Sequence, residues 1–375
     1  MERSRSEVAA RGHLSSRRVQ QLDSLRGFAA ATVVIHHWFL ASHTDAPRWF
    51  LVPLFAGHAA VILFFVLSGY VLSLPIWMNK QLPYPEYLLR RVSRIYLPYL
   101  AALALAAVGC YFFFGSRIPL TPWFYRTWQT PLNVPMILGQ ILMDPSPVLN
   151  TAFWSLRYEM EMSFAIPFVC LLMLRSGQYS GIALAVALKV VSSFLISTRF
   201  KENALTLALH YSVYFVAGAA LSREKKSLKN IVSRANVATV WLVLLITLIL
   251  YFYNGQLAGA KGEVLVLIAV CSLIIIVQDD RLKVGLKSRF GEYLGRISYS
   301  WYLVHGTVLM IVLNLLYGKI PFVFIALVYG TGSLVVAHLF CVSVEEPSLR
   351  LGKRAVERLE SRRGFGDLKT EKLRG

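Results

Sequence analysis

Gln21-Leu-Asp23-Ser-Leu-Arg26-Gly-Phe-Ala-Ala-Ala-Thr-Val-Val-Ile-His36-His37-Trp-Phe-Leu40 is long enough to cross a bilayer core as a helix, yet it holds an aspartate, an arginine and two histidines. A charge inside such a segment is expensive and by default marks function. Arg26 and His37 are eleven residues apart. At helical pitch that spacing falls about 20° past three full turns, so both side chains point the same way, roughly 16.5 Å apart along the axis. Asp23 lies one turn before Arg26 on the same face, whereas His36 points about 80° off it. The stripe Asp23–Arg26–His37 is expected to face protein or a water-filled cavity rather than lipid. The plainer alternative is an Asp23–Arg26 pair that orients the helix, with His37 as a polar contact to a neighbouring helix.

Composition sets the class. The chain has 375 residues, 56% of them hydrophobic and 13% aromatic, with a mean hydropathy of +0.54; a soluble protein of this length is less apolar. Runs long enough to span a bilayer fall near residues 22–42, 54–77, 94–114, 151–174, 181–198, 203–222, 236–253, 262–278, 296–317 and 320–344. These predict an all-α, polytopic membrane bundle of about ten transmembrane helices. The shorter apolar segment Leu132 to Met143 reads as a re-entrant or surface helix.

Loop charges test that count. With ten spans, 27 Lys/Arg collect on the side that carries both termini. The other side holds seven, Arg48, Arg117, Arg126, Arg199, Lys201, Lys261 and Lys319. By the positive-inside rule both termini are cytoplasmic, and the net charge of +19 is chiefly a topology signal that requires no nucleic-acid partner. The expected organisation is a basic N-terminal tail over 1–21, a transmembrane domain over 22–345 and a basic C-terminal tail over 346–375, solvated or touching anionic membrane lipid. Cys110, Cys170, Cys271 and Cys341 each lie in a different apolar span and behave as small apolar residues. Phosphate-binding glycine loops, nucleophile elbows, metal-ligand spacings and internal repeats are all missing from the sequence. The longest outer loop, 115–150, is rich in Pro, Trp and Tyr and is expected to fold over the outer mouth or to offer aromatic contact surface.

Three further constellations carry chemistry. Arg90, Arg91 and Arg94 stand at the cytoplasmic start of the third span with spacings of three and four that place them on one helix face. Cations there oppose the helix dipole, so the cluster suits phosphate binding better than helix stability; a topological anchor is the alternative. Trp154-Ser155-Leu-Arg157-Tyr-Glu159-Met-Glu161 enters the fourth span from the outer side, with Trp154 at the interface. Arg157 and Glu161, four apart, are placed to neutralise each other, leaving Glu159 on another face. That carboxylate would orient His37, bind a hydroxyl-bearing substrate or bond a neighbouring helix. Ser298-Tyr-Ser-Trp-Tyr302-Leu-Val-His305 brings a histidine near mid-membrane, where interhelical bonding and a substrate role are equally open. For His58, His210 and His338 the structural reading is favoured.

Leu22-Asp23-Ser-Leu-Arg26-Gly27 through His37, Phe64-Phe65-Val-Leu-Ser68-Gly69, Arg91-Val-Ser-Arg94, Trp154-Ser155-Leu with Glu159, Ser298 through His305 with Tyr302, and Glu346-Pro347 together resemble the acyltransferase 3 family. These are integral-membrane acyltransferases that decorate cell-surface sugars. The likeness runs from about residue 20 to 350 in the family's order and departs from its pattern at Met160 and Glu161. It implies transfer of an acyl group, usually acetyl, from cytoplasmic acyl-CoA (acetyl-CoA) as co-substrate to a sugar or glycoconjugate hydroxyl at the outer face of a bacterial cytoplasmic membrane. No permanently bound cofactor or metal is implied. His37 would be the general base, with Asp23 or Glu159 orienting it and Arg26 meeting the donor or the developing negative charge. Arg90, Arg91 and Arg94 would hold the donor phosphates, and Trp154, Ser155, Ser68, Tyr302 and His305 would support substrate or structure. A transporter or flippase for a sugar or lipid-linked sugar is the competing class, but it should show inverted repeats or paired broken spans.

Overall fold

A computed structural model of the chain describes residues 2–42, 56–198, 200, 203–253, 260–279, 281–282 and 288–371, the side chains of 2–20, 260 and 362–371 excepted. Arg48, Arg199 and Lys201, counted above among the loop charges, lie outside the described residues. The helices in chain order are α1 (Glu2–Ala41), α2 (Gly57–Trp77), α3 (Tyr84–Phe113), α4 (Val134–Ile141), α5 (Trp154–Arg175), α6 (Ser180–Ile196), α7 (Ala204–Arg223), α8 (Lys225–Arg234), α9 (Val237–Tyr253), α10 (Ala260–Ile276), α11 (Arg289–Leu316), α12 (Phe322–Phe340) and α13 (Glu346–Glu371). No strand occurs among the described residues.

The expected all-α membrane architecture is present, with a described helix at each of the ten expected runs, while the exact count of ten spans is not confirmed. Five described helices are long and apolar enough to cross a membrane, namely α2, α3, α7, α11 and the continuous rod Phe322–Ser361. A sixth arises if α8 and α9, bent by 120°, count as one. The remaining helices fall outside that class for physical reasons. Helices α6, α9 and α10 have 17 residues each, the lower limit for a hydrocarbon core of about 30 Å. Helix α5 is long enough but carries Arg157, Glu159 and Glu161, and α1 carries Asp23 and Arg26.

The described chain forms two compact units, the first comprising Met1–Trp77, Pro119–Tyr125 and Ala165–Tyr302. In it α2 and α7 meet backbone to backbone: a Cβ on Gly69 would lie 2.0 Å from the Phe215 carbonyl oxygen, and one on Gly218 2.0 Å from that of Val66. Helices in lipid gain little from hydrophobic burial against each other, so such small-residue contacts supply their packing. At one end of this pair Ser73 and Ser222 share a hydroxyl–hydroxyl bond of 2.5 Å, and the Trp77 indole donates to Ser222 Oγ at 2.8 Å. Arg223 closes the turn between α5 and α6 by donating to the carbonyls of Met173 and Gly177.

The second unit comprises Met78–Ile118, Arg126–Phe164 and Leu303–Gly375. Its long loop after α3 is built around Trp128, which is 1% exposed. The Trp128 ring lies over Gly109, its indole N–H donates to the Leu149 carbonyl, and its backbone binds Gly115 and Val148. The apolar stretch after it forms α4, opened by Asn133, whose side chain accepts from the Met136 amide. Val134, Leu138 and Leu142 are exposed, so α4 is a surface helix; Tyr96 and Tyr99 of α3 bind the carbonyls of Ile141 and Gln140 at its end.

The segment 346–375, expected to be a tail, begins as helix α13 packed on α3. A single π turn, Cys341–Glu345, joins it to α12. Pro347 follows one residue later, and the widened turn accommodates both its missing donor and its ring. Gly352 sits against Ser93 of α3, and Val356 is fully buried.

Candidate functional site

The first unit carries Asp23, Arg26, His37, Ser68 and Tyr302. On α1 the stripe is inward as the spacing predicted. Its members are half-buried, while the exposed apolar residues Phe28 and Ile35 lie about 180° to 200° round the helix from Arg26. Arg26 Nη1 pairs with Asp23 Oδ1 at 3.5 Å, the arginine being 16% exposed and the aspartate 44%. Beside this pair α1 touches the start of α11: a Cβ on Gly27 would fall 2.6 Å from the Leu294 backbone, and one on Gly295 2.5 Å from the Asp23 carbonyl oxygen. The two glycines thus hold the backbone that carries Asp23 and Arg26.

Eleven residues on, the two histidines diverge. His36 lays its ring against Gly57 at the start of α2, where a Cβ would be 2.2 Å from the imidazole. His37 faces Trp123, with ring centroids 5.0 Å apart. Trp123 reaches this position because Thr121 donates its hydroxyl to the carbonyls of Leu40 and Ala41, pinning the loop to the last turn of α1. Sequence reading expected the loop to cover the outer mouth but did not single out Trp123. Nothing local in the sequence ties Thr121 to a helix end 80 residues earlier. Elsewhere in the unit Tyr302 meets Phe64 edge-on at 5.6 Å; Ser68, one turn beyond Phe64 on α2, is 8% exposed.

The second unit carries Arg90, Arg91, Arg94, Trp154, Ser155, Glu159 and His305. Helix α3 starts at Tyr84, ten residues before the expected span. Arg91 and Arg94 therefore sit in its second and third turns, beyond the free amides of the first turn, and the expected use of the helix N-terminus in phosphate binding does not apply. Arg90 is exposed; Arg91 and Arg94 are half-buried. Arg91 lies over the Tyr87 ring at 5.9 Å, and Tyr87 in turn donates to the Ser163 carbonyl of α5 at 2.7 Å.

On α5 the expected neutralisation is present, Arg157 Nε to Glu161 Oε1 at 2.9 Å. Glu159 points about 200° away from Arg157 and is half-buried. Trp154 stands edge-on to Tyr158, and Ser155 donates to the Ala152 carbonyl at 3.3 Å. His305 is fully buried on α11. Two residues along, Thr307 receives the Asn150 side-chain amide at 3.1 Å. Among the described residues no His, Cys, Asp and Glu group has metal-binding geometry.

Several described helices long and apolar enough to cross a membrane mark an integral membrane protein. A family model described as an acyltransferase domain matches residues 19–344. The chain belongs to that family, acyltransferase 3, and is a membrane acyltransferase. No curated protein and no solved structure matches the chain.

Proposed function

We propose that the protein transfers an acyl group, acetyl in the simplest case, from cytoplasmic acyl-CoA to a hydroxyl of a sugar or glycoconjugate at the outer face of the membrane. The observation that carries this reading is His37. It is half-buried on the inward face of α1, in register with Arg26, about 6 Å from the helix end, with an indole ring beside it. A neutral imidazole there takes the proton from the acceptor hydroxyl as that oxygen attacks the thioester carbonyl. The carbon–sulfur bond breaks, the CoA thiolate recovers the proton from the imidazolium, and an ester and a thiol result.

Arg26 suits the negative charge that develops on the carbonyl oxygen, since a guanidinium fixed by Asp23 needs no reorganisation during the reaction. Trp123 shields the imidazole from bulk water and offers its face to the apolar side of a sugar ring. For Glu159 the family resemblance alone supports a role toward the acceptor. Arg91 and Arg94, toward the end of α3 expected on the cytoplasmic side, hold the phosphates of the donor. The setting is the cytoplasmic membrane of a bacterium.

The test is thiol release from acetyl-CoA by purified protein in lipid nanodiscs, with and without added glycosides. His37→Gln should lower turnover by roughly 10² to 10⁴-fold at unchanged protein level and donor KM, whereas His36→Gln should be far milder. Equal losses from both variants would return the stripe to a structural role.

A further inference from the structure

Away from the His37 stripe, four helices of the first unit bring a second set of ionisable groups together. Lys189 is the tenth residue of the 17-residue α6, inside an otherwise apolar helix. Its ammonium donates to Glu263 Oε2, and the other carboxylate oxygen, Oε1, lies 3.5 Å from His210 Nε2. His58, at the start of α2, interacts electrostatically with Glu263, His210 and Lys189. The Tyr214 hydroxyl also lies close to the Glu263 carboxylate. Sequence reading gave His58 and His210 structural roles and passed over Lys189 and Glu263. The signal was available, because a lone lysine in the middle of an apolar helix needs a partner.

A staple between helices would use all the hydrogen-bonding capacity it buries. This cluster does not. The Lys189 ammonium has three donors and Glu263 receives one. The carboxylate offers about four lone-pair sites, of which Lys189 and His210 take two. His210, its side chain 7% exposed, presents Nδ1 with no hydrogen-bond partner among the described residues. Donors and acceptors are therefore in surplus together, at a point where leaving them unused is costly.

Access and walls are also present. His58 is exposed and the Glu263 side chain is 26% exposed, while Lys189 and His210 are deeper. The cluster thus runs inward from one end of the bundle by about 10 Å, counting helical rise from the ends of α6 and α7. In the topology expected from the loop charges that end is the outer one. Two tyrosines flank it: Tyr211 stands 5.0 Å and Tyr214 5.8 Å from the His210 ring, both edge-on, and Tyr211 meets Phe65 at 5.7 Å.

The charge balance selects the ligand. Lys189 and Glu263 cancel, so an anion would have to compete with Glu263 for the lysine and a cation would meet the lysine itself. A neutral molecule with several hydroxyls can use the spare donors and acceptors at once and lay its carbon face on the tyrosines. We propose that Lys189, His210 and Glu263, walled by Tyr211 and Tyr214, form a binding site for a neutral polyhydroxylated ligand, a sugar residue, entering from the outer end of the bundle. Its role as a specificity site for the acceptor rests on the acyl-transfer reading; binding itself does not.

The direct measurement uses wild-type protein in nanodiscs and the rate at which diethyl pyrocarbonate, which reacts with imidazole nitrogen, labels His210, read by mass spectrometry. Methyl glucoside or methyl galactoside, supplied soluble or as a glycosyl diacylglycerol in the disc, should slow labelling at least threefold. Acetate and tetramethylammonium should not. Protection by the lipid form alone identifies a glycolipid headgroup; protection by both forms identifies a free sugar terminus. A His210 that never labels, equal protection by the ions, or no protection by any glycoside overturns the site. In transfer assays the charge-neutral pair Lys189→Met with Glu263→Gln should raise the glycoside KM at least tenfold and change kcat little. An unchanged KM also overturns it. Protection without any acyl transfer by the wild type would instead leave the site standing and remove the acyl-transfer reading.

Discussion

Gly295→Ala is the sharpest test of how the first-helix site is held in place. The added methyl would lie 2.5 Å from the Asp23 carbonyl oxygen, where ordinary Cβ contacts begin at 3.4 Å. Both sides of that contact are helix backbone, so no side chain can swing away, and α1 and α11 must part by about 0.9 Å. Overpacking of this kind costs about 1–3 kcal/mol. The intrinsic helix preference of alanine over glycine returns about 1 kcal/mol at most, leaving a net destabilisation. Gly330 and Gly332 on α12 provide the internal control, because a Cβ on either meets nothing within 4 Å and only the propensity gain remains.

The assay is the unfolding midpoint of purified protein in mild detergent, followed by tryptophan fluorescence. Gly295→Ala should be less stable than wild type, Gly330→Ala equal or more stable. Gly27→Ala should resemble Gly295→Ala, and the double variant should cost clearly less than the two single costs added, since helices already parted accommodate the second methyl. Turnover should fall more than stability does, because a displacement near 1 Å at a reacting group costs up to about 10²-fold. Equal stability of Gly295→Ala and Gly330→Ala, or strict additivity, would refute the close-approach argument.

Glu159→Gln should fold and accumulate normally but lose turnover, with Glu161→Gln the milder change; loss of membrane accumulation in Glu159→Gln would instead assign it an interhelical bond. Arg91→Ala combined with Arg94→Ala should raise the acetyl-CoA KM with the acceptor KM near normal, and added salt should act in the same direction; unchanged donor affinity makes these arginines topology anchors. Outside the spans, Arg281 hydrogen-bonds Asp279 and donates to the carbonyls of Val232 and Ala235, capping α8. The guanidinium holds the Asp279 carboxyl below its ordinary value, so the contribution is complete above the unfolded carboxylate pKa and lost as pH falls through the folded one. Protection of the 232–235 amides, taken relative to intrinsic exchange at each pH, should therefore fall on acidification below about pH 4, and Asp279→Asn should abolish that fall; protection indifferent to both would sink the cap.

What the sequence revealed and what it hid divide by the range of the interaction. Arg26 and His37 share a face because helical pitch alone relates them, and Phe28 and Ile35 on the far side follow from the same arithmetic. Arg157 and Glu161 pair for the same local reason. The N-terminal extent of α3 was less legible, since Tyr84 to Arg94 is polar and hydropathy marks only the part of a helix that lipid touches. Hydropathy likewise marks the 17-residue helices α6, α9 and α10 as spans, a length at the lower limit for crossing the hydrocarbon core.

Contacts between distant segments were not legible at all. Thr121 reaches the carbonyls of Leu40 and Ala41 and so places Trp123 beside His37. Lys189, His210 and Glu263 come from three helices, and each alone reads as an isolated polar residue whose most economical explanation is structural. Their meeting changes the inference, because a charge that seems costly in one helix is neutralised by another. The cost then falls on the unused hydrogen-bonding capacity that remains. One acidic and one basic residue in different apolar spans are therefore better read as a candidate pair than as two separate anomalies. That reading would have directed attention to one end of α6, α7 and α10, and the labelling measurement on His210 decides whether the cluster serves a ligand or only the bundle.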